Sequence, residues 1–286
     1  MSFQTIVSAE VLVQNLDNSN WVILDCRDSL KDKEWGYKSY LEGHIPSASY
    51  CYLYDDFSSP ITPTTGRHPL PKADELAKKL GNWGIDENTQ VVVYDDMSGA
   101  FAGRMWWQLR TLGHQKVAVL DGGLKYWLAQ NKPLTTEIVN SQQRQFSVDF
   151  NPDQLVTVNQ VSRNIDSAIF SLLDARAAPR YRGEVEPIDP IAGHVPNALN
   201  RDFTMNLDED GLFLPAEELK QQFQSIVDEA PNQQIVHMCG SGVTACHNML
   251  AMEFAGLTGS KLYLGSWSEW ITDASRPIVS TERNDA

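Results

Sequence analysis

Leu24-Asp25-Cys26-Arg27 and Leu173-Asp174-Ala175-Arg176 are one motif written twice, and so are Gly43-His44-Ile45-Pro46-Ser47-Ala48 and Gly193-His194-Val195-Pro196-Asn197-Ala198. The copies lie 149 and 150 positions apart. Further along, Ser98-Gly99 pairs with Ser241-Gly242, Gly122 with Gly265 and Trp127 with Trp270, each 143 positions apart. The shorter offset places extra residues in the first copy, in Tyr54–Pro71, a stretch rich in Pro, Ser, Thr and Asp. A period this long exceeds that of any solenoid, so it reads as one whole domain duplicated in tandem.

Each copy carries the same order of signals. An apolar strand (Trp21–Leu24; Ile169–Leu173) precedes the Asp and Arg, and a helical stretch (Ala73–Leu80; Pro215–Ile226) leads into a second strand (Val91–Tyr94; Ile235–Met238). A Gly/Ser loop and a helix follow, then a third strand (Val117–Leu120; Lys261–Leu264) and a Trp-containing helix. Strands alternating with helices predict an α/β fold, each copy a mainly parallel sheet with helices on both faces. Pro133–Asp153 is polar and ends in Asn151-Pro152, as an exposed linker does. The expected domains are residues 1–135 and 154–286, joined by a linker at 136–153.

Composition narrows the function. The net charge of −14 over 286 residues repels phosphate backbones and argues against nucleic acid as a partner. Apolar runs such as Val91–Tyr94 fall far short of the ~20 residues that cross a bilayer, so no membrane partner is expected. The opening Met1-Ser2-Phe3-Gln4-Thr5 lacks the basic and apolar stretches of a signal peptide, which predicts a cytoplasmic protein. Cys26, Cys51, Cys239 and Cys246 lack close metal-type spacing and read as free thiols.

The chemistry concentrates in Ile235-Val236-His237-Met238-Cys239-Gly240-Ser241-Gly242-Val243-Thr244-Ala245, a strand, tight loop and helix start. Ligands of open α/β sheets bind at the carboxyl ends of strands, where Cys239 falls. Gly240 and Gly242 free the backbone, so that amides from Gly240 through Ser241, Gly242 and Val243 to Thr244 can converge on one sulfur atom. The helix N-terminus adds positive potential that favours thiolate over thiol. A cysteine phosphatase would need an Arg six positions after the cysteine, where Ala245 stands. By the 143-residue offset, Asp96 is the counterpart of Cys239, so the first copy has no thiol there and serves as scaffold and as the opposite wall of a cleft.

Cys239-Gly240-Ser241-Gly242-Val243-Thr244-Ala245 resembles the active-site signature of the mercaptopyruvate sulfurtransferases, and the tandem copies are similar to the two-domain rhodanese family. The Gly-His-Ile/Val-Pro motifs and Gly265-Ser266-Trp267-Ser268-Glu269-Trp270 resemble further motifs of that family, so the likeness spans nearly the whole chain. It implies a sulfurtransferase that carries sulfur as a persulfide on Cys239, takes it from an anionic donor and passes it to a thiol, thioredoxin or cyanide, without cofactor or metal. Gly240 and Ser241 stand where thiosulfate enzymes commonly carry Arg and Lys, which favours 3-mercaptopyruvate as donor. Thiosulfate is the alternative donor, and a non-catalytic sulfur carrier is a third reading. The likeness assigns Arg180 to the donor's anionic group. Arg182 fits either that role or the surface, and Arg67 is equally able to face the cleft. His68, with Asp55 or Asp56, resembles the family's polar wall opposite the cysteine. The family's second arginine before the Gly-His motif has no counterpart in Glu184–Asp189.

The remaining candidates read as framework. Arg176 recurs as Arg27 in the copy without the thiol, and His194 as His44, so both pairs point to structural roles. Ser241 and Thr244 offer hydroxyls to the sulfur or serve as loop and helix caps. His237, His247, Cys246, Met238 and Trp106-Trp107 read as packed residues.

Overall fold

The computed structural model describes residues 2–227 and 230–280. The last six residues of the expected second domain lie outside that range. The chain forms two compact units that are not simple halves. Unit 1 holds residues 1–59, 70–152 and 207–213; unit 2 holds 60–69, 153–206 and 214–286.

In unit 1 the strands are β1 (Ile6–Val7), β2 (Trp21–Asp25), β3 (Ala48–Tyr50), β4 (Gln90–Tyr94) and β5 (Val117–Leu120). They run β1-β5-β4-β2-β3, every pairing parallel. In unit 2, β6 (Ser171–Asp174), β7 (Leu199–Asn200), β8 (Ile235–Met238) and β9 (Lys261–Leu262) run β7-β6-β8-β9, again parallel. Parallel strands need crossovers and are buried on both faces, which explains the apolar runs Val91–Tyr94 in β4 and Val117–Leu120 in β5.

Helices α1 (Ala9–Val13), α2 (Trp35–Glu42), α3 (Ala73–Asn82), α4 (Ala102–Thr111) and α5 (Gly123–Ala129) belong to unit 1. Ala9 and Leu12 of α1 and Leu124 and Trp127 of α5 share a buried cluster with Ile23, Val92, Ala118 and Leu120. The other face of β4 and β5 is covered by α4. Unit 2 repeats the plan with α6 (Val158–Ser167), α7 (Ala178–Tyr181), α8 (Ala216–Val227), α9 (Ala245–Phe254) and α10 (Ser266–Trp270). Val161 of α6 and Trp267 and Trp270 of α10 pack with Leu172, Val236 and Met238, while α9 lies on β8 and α8 on α9.

The repeated motifs form the same clasp in both units. The Arg27 guanidinium grips the Asp25 carboxylate (Nη2 to Oδ2, 2.6 Å) and donates to the Gly43 carbonyl at 2.8 Å. Arg176 does the same to Asp174 at 2.7 Å and Gly193 at 2.8 Å. His44 stacks on Tyr40 at 3.8 Å and His194 on Tyr181 at 3.9 Å, with Nδ1 on the carbonyl of the stacked tyrosine in each case. These residues hold the backbone where a strand turns back to the sheet, the structural part their duplication suggests.

Two boundaries differ from the sequence reading. The strand expected from Ile169 begins at Ser171, because α6 ends with Ala168 in the left-handed region (φ +47°) and Ile169 turns outward, 66% exposed. The polar stretch 136–153 forms no strand or helix before a short turn at Pro152–Gln154, yet it is strapped to unit 1. The Arg144 amide donates to Gly81, the Asp149 amide to Leu112 and the Asn151 amide to Thr111, at 2.9–3.0 Å, and Phe146 is buried. Its polar composition reflects backbone pairing at a surface rather than slack.

Candidate active site

Cys239 follows the last residue of β8 and is 1% exposed. Its backbone is pinned on both sides. The Cys239 amide donates to Ser266 Oγ at 3.0 Å, and its carbonyl accepts from the Trp267 amide at 3.0 Å. Ser266 itself sits at φ +54° and donates its hydroxyl proton to the Tyr263 carbonyl. A non-glycine residue in that region costs conformational energy, which the surrounding contacts offset while fixing the Cys239 backbone.

The loop then doubles back over the sulfur. Gly242 has φ +74°, a conformation open to glycine and strained for other residues, and its amide donates to Cys239 Sγ at 3.1 Å. Helix α9 starts three residues later, at Ala245, so the positive end of its dipole lies at the end of the same loop. Cys246, on α9, donates its thiol to the Gly242 carbonyl at 3.4 Å and is packed and buried, as expected.

The loop's partners come from two segments. Residues 60–69, part of the long insertion in the first half, belong to unit 2. Gly66 brings this segment in, because an added Cβ would lie 2.5 Å from the Gly265 carbonyl oxygen, closer than atoms pack. The Arg67 amide donates to Ser268 Oγ at 3.1 Å, and His68 Nδ1 is 2.8 Å from Ser241 Oγ. A Cβ built on Gly240 would stand 3.0 Å from Arg67 Nη2 and 3.6 Å from Arg180 Nη2, so both guanidinium groups border the residue that follows Cys239. The space beside the loop is filled by arginines from elsewhere in the chain.

Two buried carboxylates hold these arginines. Glu186 accepts from Arg180 Nη2 at 2.7 Å and lies 3.6 Å from Arg176 Nη1. Asp189 bridges the pair, with Oδ1 on Arg67 and Oδ2 on Arg180 at 3.3 Å. Arg67 and Arg180 remain 25% and 17% exposed at the side chain, against 3% for Asp189 and 4% for Glu186. Partly exposed guanidinium groups held by buried carboxylates have the chemistry to pair with a small anion.

Unit 1 supplies an internal comparison. Asp25 registers with Tyr94 as Asp174 does with Met238. The next residue, Asp95, offers its carbonyl to the Leu124 amide just as Cys239 does to Trp267. Asp95, one position from the residue reached by the constant offset, is therefore the counterpart of Cys239; the first loop has one residue more. Its carboxylate accepts from the amides of Met97, Gly99, Phe101 and Ala102 at 2.7–2.9 Å. Burial nonetheless pushes its carboxyl above the usual range. The first loop binds an anion that the chain itself provides.

The model of the rhodanese-like domain matches residues 8–130 and again 157–273. The chain belongs to the rhodanese family. As a member it is a sulfurtransferase, an enzyme class borne by its relatives' names. One such rhodanese-family relative is the probable 3-mercaptopyruvate sulfurtransferase of Pseudomonas aeruginosa, 45% identical over 282 residues, 98% of this chain and 99% of that one. The thiosulfate sulfurtransferase of Bos taurus is 36% identical over 240 residues, covering 82% and 79% of the two chains. The crystal structure of SseA from Escherichia coli, a 3-mercaptopyruvate enzyme of the rhodanese fold, superposes with a TM-score of 0.79 at 31% identity, covering 93% of this chain and all of that one.

Of the residues singled out in the sequence, the rhodanese fold brings together Cys239, the loop Gly240–Thr244, Arg180, Arg67 and His68. Arg182 points away, its Nε 2.7 Å from Glu184 on the surface. Asp55 lies in unit 1, exposed, with its carbonyl accepting from Lys79. Asp56 accepts from the Tyr52 amide at 2.8 Å. Thr244 precedes α9 without a side-chain cap bond. Sequence reasoning missed Glu186, Asp189, Ser266 and Ser268. The acidic pair was visible as a run of carboxylates beside Arg180, but only folding shows which arginines it holds.

Proposed function

We propose that this protein transfers sulfane sulfur from 3-mercaptopyruvate through a persulfide on Cys239. The observation that carries this reading is the pair of partly exposed guanidinium groups, Arg67 and Arg180, bordering the loop that folds over Cys239 Sγ. Arg67 stands in for the family's second arginine, which Glu184–Asp189 does not supply.

The donor's carboxylate docks on the arginines, with its thiol over Cys239. The thiolate attacks the donor sulfur, the carbon–sulfur bond breaks with its electron pair going to carbon, and the pyruvate enolate leaves. The donor's own thiol proton ends on that carbon, so thiolate and mercaptopyruvate become persulfide anion and pyruvate without other reactants. The Ser241 hydroxyl, hydrogen-bonded to His68, is the group suited to carry this proton. The Gly242 amide and the α9 N-terminus stabilise the terminal sulfur anion. A thiol, thioredoxin or cyanide then attacks the outer sulfur and restores the Cys239 thiolate.

Thiosulfate is the second donor to weigh, since the bovine relative bears that name. Comparing kcat/KM for the two donors with cyanide as common acceptor measures the difference directly. A clear advantage for thiosulfate would overturn the assignment. Residues 154–286, with 60–69, carry the chemistry in this reading, and the four free thiols suit the cytosol. Among the described residues no helix is long and apolar enough to cross a membrane.

A further inference from the structure

Asp189 occupies an unusual place in this site. Its side chain is 3% exposed, and its two oxygens reach different arginines, Oδ1 to Arg67 and Oδ2 to Arg180. Glu186 is held otherwise, since it accepts the amides of Ile188 and Asp189 at 3.0 Å as well as Arg180 and so fixes the loop. Asp189 contacts both cations with its carboxylate oxygens, one on each. Arg67 and Arg180 meet Asp189 and Glu186, and Arg176, 3.6 Å from Glu186, is itself paired with Asp174 at 2.7 Å, so three positive charges meet three negative ones. The attraction left for a ligand comes from the exposed N–H edges of the guanidinium groups and from the loop amides, not from net charge.

We infer that Asp189 determines donor specificity by cancelling one unit of positive charge, which fits the site to a monoanionic α-keto acid thiol and against a dianion such as thiosulfate. The inference rests on the reading of the site given above. Hydrogen bonds from two arginine edges suit a planar carboxylate of charge −1 without net positive charge. A donor of charge −2 gains about twice as much from each added unit of positive charge. Removing the Asp189 charge therefore helps both donors and helps thiosulfate more. At a few ångströms and an intermediate effective dielectric, one unit of charge changes the ratio by about tenfold after screening.

Three proteins are compared, the wild type, Asp189→Asn and Asp189→Glu, each with 3-mercaptopyruvate and thiosulfate as donors and cyanide as acceptor. The expected result for Asp189→Asn is a thiosulfate-to-mercaptopyruvate ratio of kcat/KM raised about tenfold, chiefly through a lower KM for thiosulfate, and a smaller rise at high salt. Asp189→Glu keeps the charge and is expected to keep the wild-type ratio. A structural role alone would lower both donors together, and that result, or an unmoved ratio, overturns the inference while the reading of the site stands. No turnover of either donor by the wild type overturns both. A measurement on the wild type covers the case of a variant that does not fold: monoanionic pyruvate is expected to inhibit at lower concentration than dianionic sulfate, and equal or stronger inhibition by sulfate contradicts the inference.

Discussion

Asp95 stands in unit 1 where Cys239 stands in unit 2, one residue beyond the end of the central strand, with its carbonyl on the amide of the following helix. In one copy the loop closes on a carboxylate that four amides hold; in the other it closes on the sulfur proposed to carry the persulfide. Four amides reach the Asp95 carboxylate and the Gly242 amide reaches the Cys239 sulfur, so in both copies backbone N–H groups of the loop point at the side chain that follows the strand.

Removing that carboxylate leaves buried donors without an acceptor. Asp95→Ala is expected to lower stability by about 3 kcal/mol or more, since each unsatisfied buried N–H costs on the order of 1 kcal/mol or above. Urea denaturation measures it. Persulfide formation on Cys239 in the folded fraction is expected to be unchanged.

The clasp arginines give a second test. Arg27→Ala leaves Asp25 buried without its cation, with only the neutral Tyr94 hydroxyl at 2.7 Å and the backbone amide of residue 27 at 3.0 Å donating to it. The expected loss is about 3–5 kcal/mol, the usual cost of breaking a buried pair from one side. Chemical denaturation would read it, and a change below about 1 kcal/mol would contradict the structural role.

Much of this architecture was legible in the sequence because parallel strands buried on both faces leave apolar runs, and because the clasp residues recur at a near-constant offset. Cys239 stood out for the same reason, as a chemical difference between like loops. The Asp96 assignment slipped by one because an offset taken from the downstream glycines cannot see the extra residue in the first loop. The family likeness named Arg67 and His68 as candidates for the cleft wall, but their place beside Ser241 and Gly240 depends on a segment of the first half that packs with the second unit. Asp189 and Glu186 drew no reading of their own, since local sequence carries no record of which arginines they hold.

His237 sets an acid limit on stability. Both ring nitrogens are buried without a hydrogen-bond partner among the described residues, and burial pulls the imidazole down to about 3. The unfolded chain binds a proton near pH 6.5 that the folded chain refuses, so stability is full above that pH and falls as pH drops from about 6.5 towards 3. The loss reaches about 2 kcal/mol by pH 5. His237→Leu is expected to flatten this part of the stability profile, as followed by thermal unfolding at pH 7 and pH 5.

Ser241 separates the two donors by proton demand. Mercaptopyruvate must move a proton from sulfur to carbon, whereas thiosulfate releases sulfite with none to move. Ser241→Ala is expected to lower kcat for mercaptopyruvate about 100-fold and to leave thiosulfate turnover largely intact. Steady-state kinetics with both donors would show it, and an equal loss for both would assign the Ser241 to His68 bond to loop packing alone.

The most direct test is mass spectrometry of the protein after brief exposure to 3-mercaptopyruvate, followed by peptide mapping. One added sulfur atom on the peptide bearing Cys239, absent in Cys239→Ser and removed by cyanide, is the expected result. An unmodified protein, or sulfur carried on Cys26, Cys51 or Cys246, would contradict the assignment of Cys239 as the sulfur carrier.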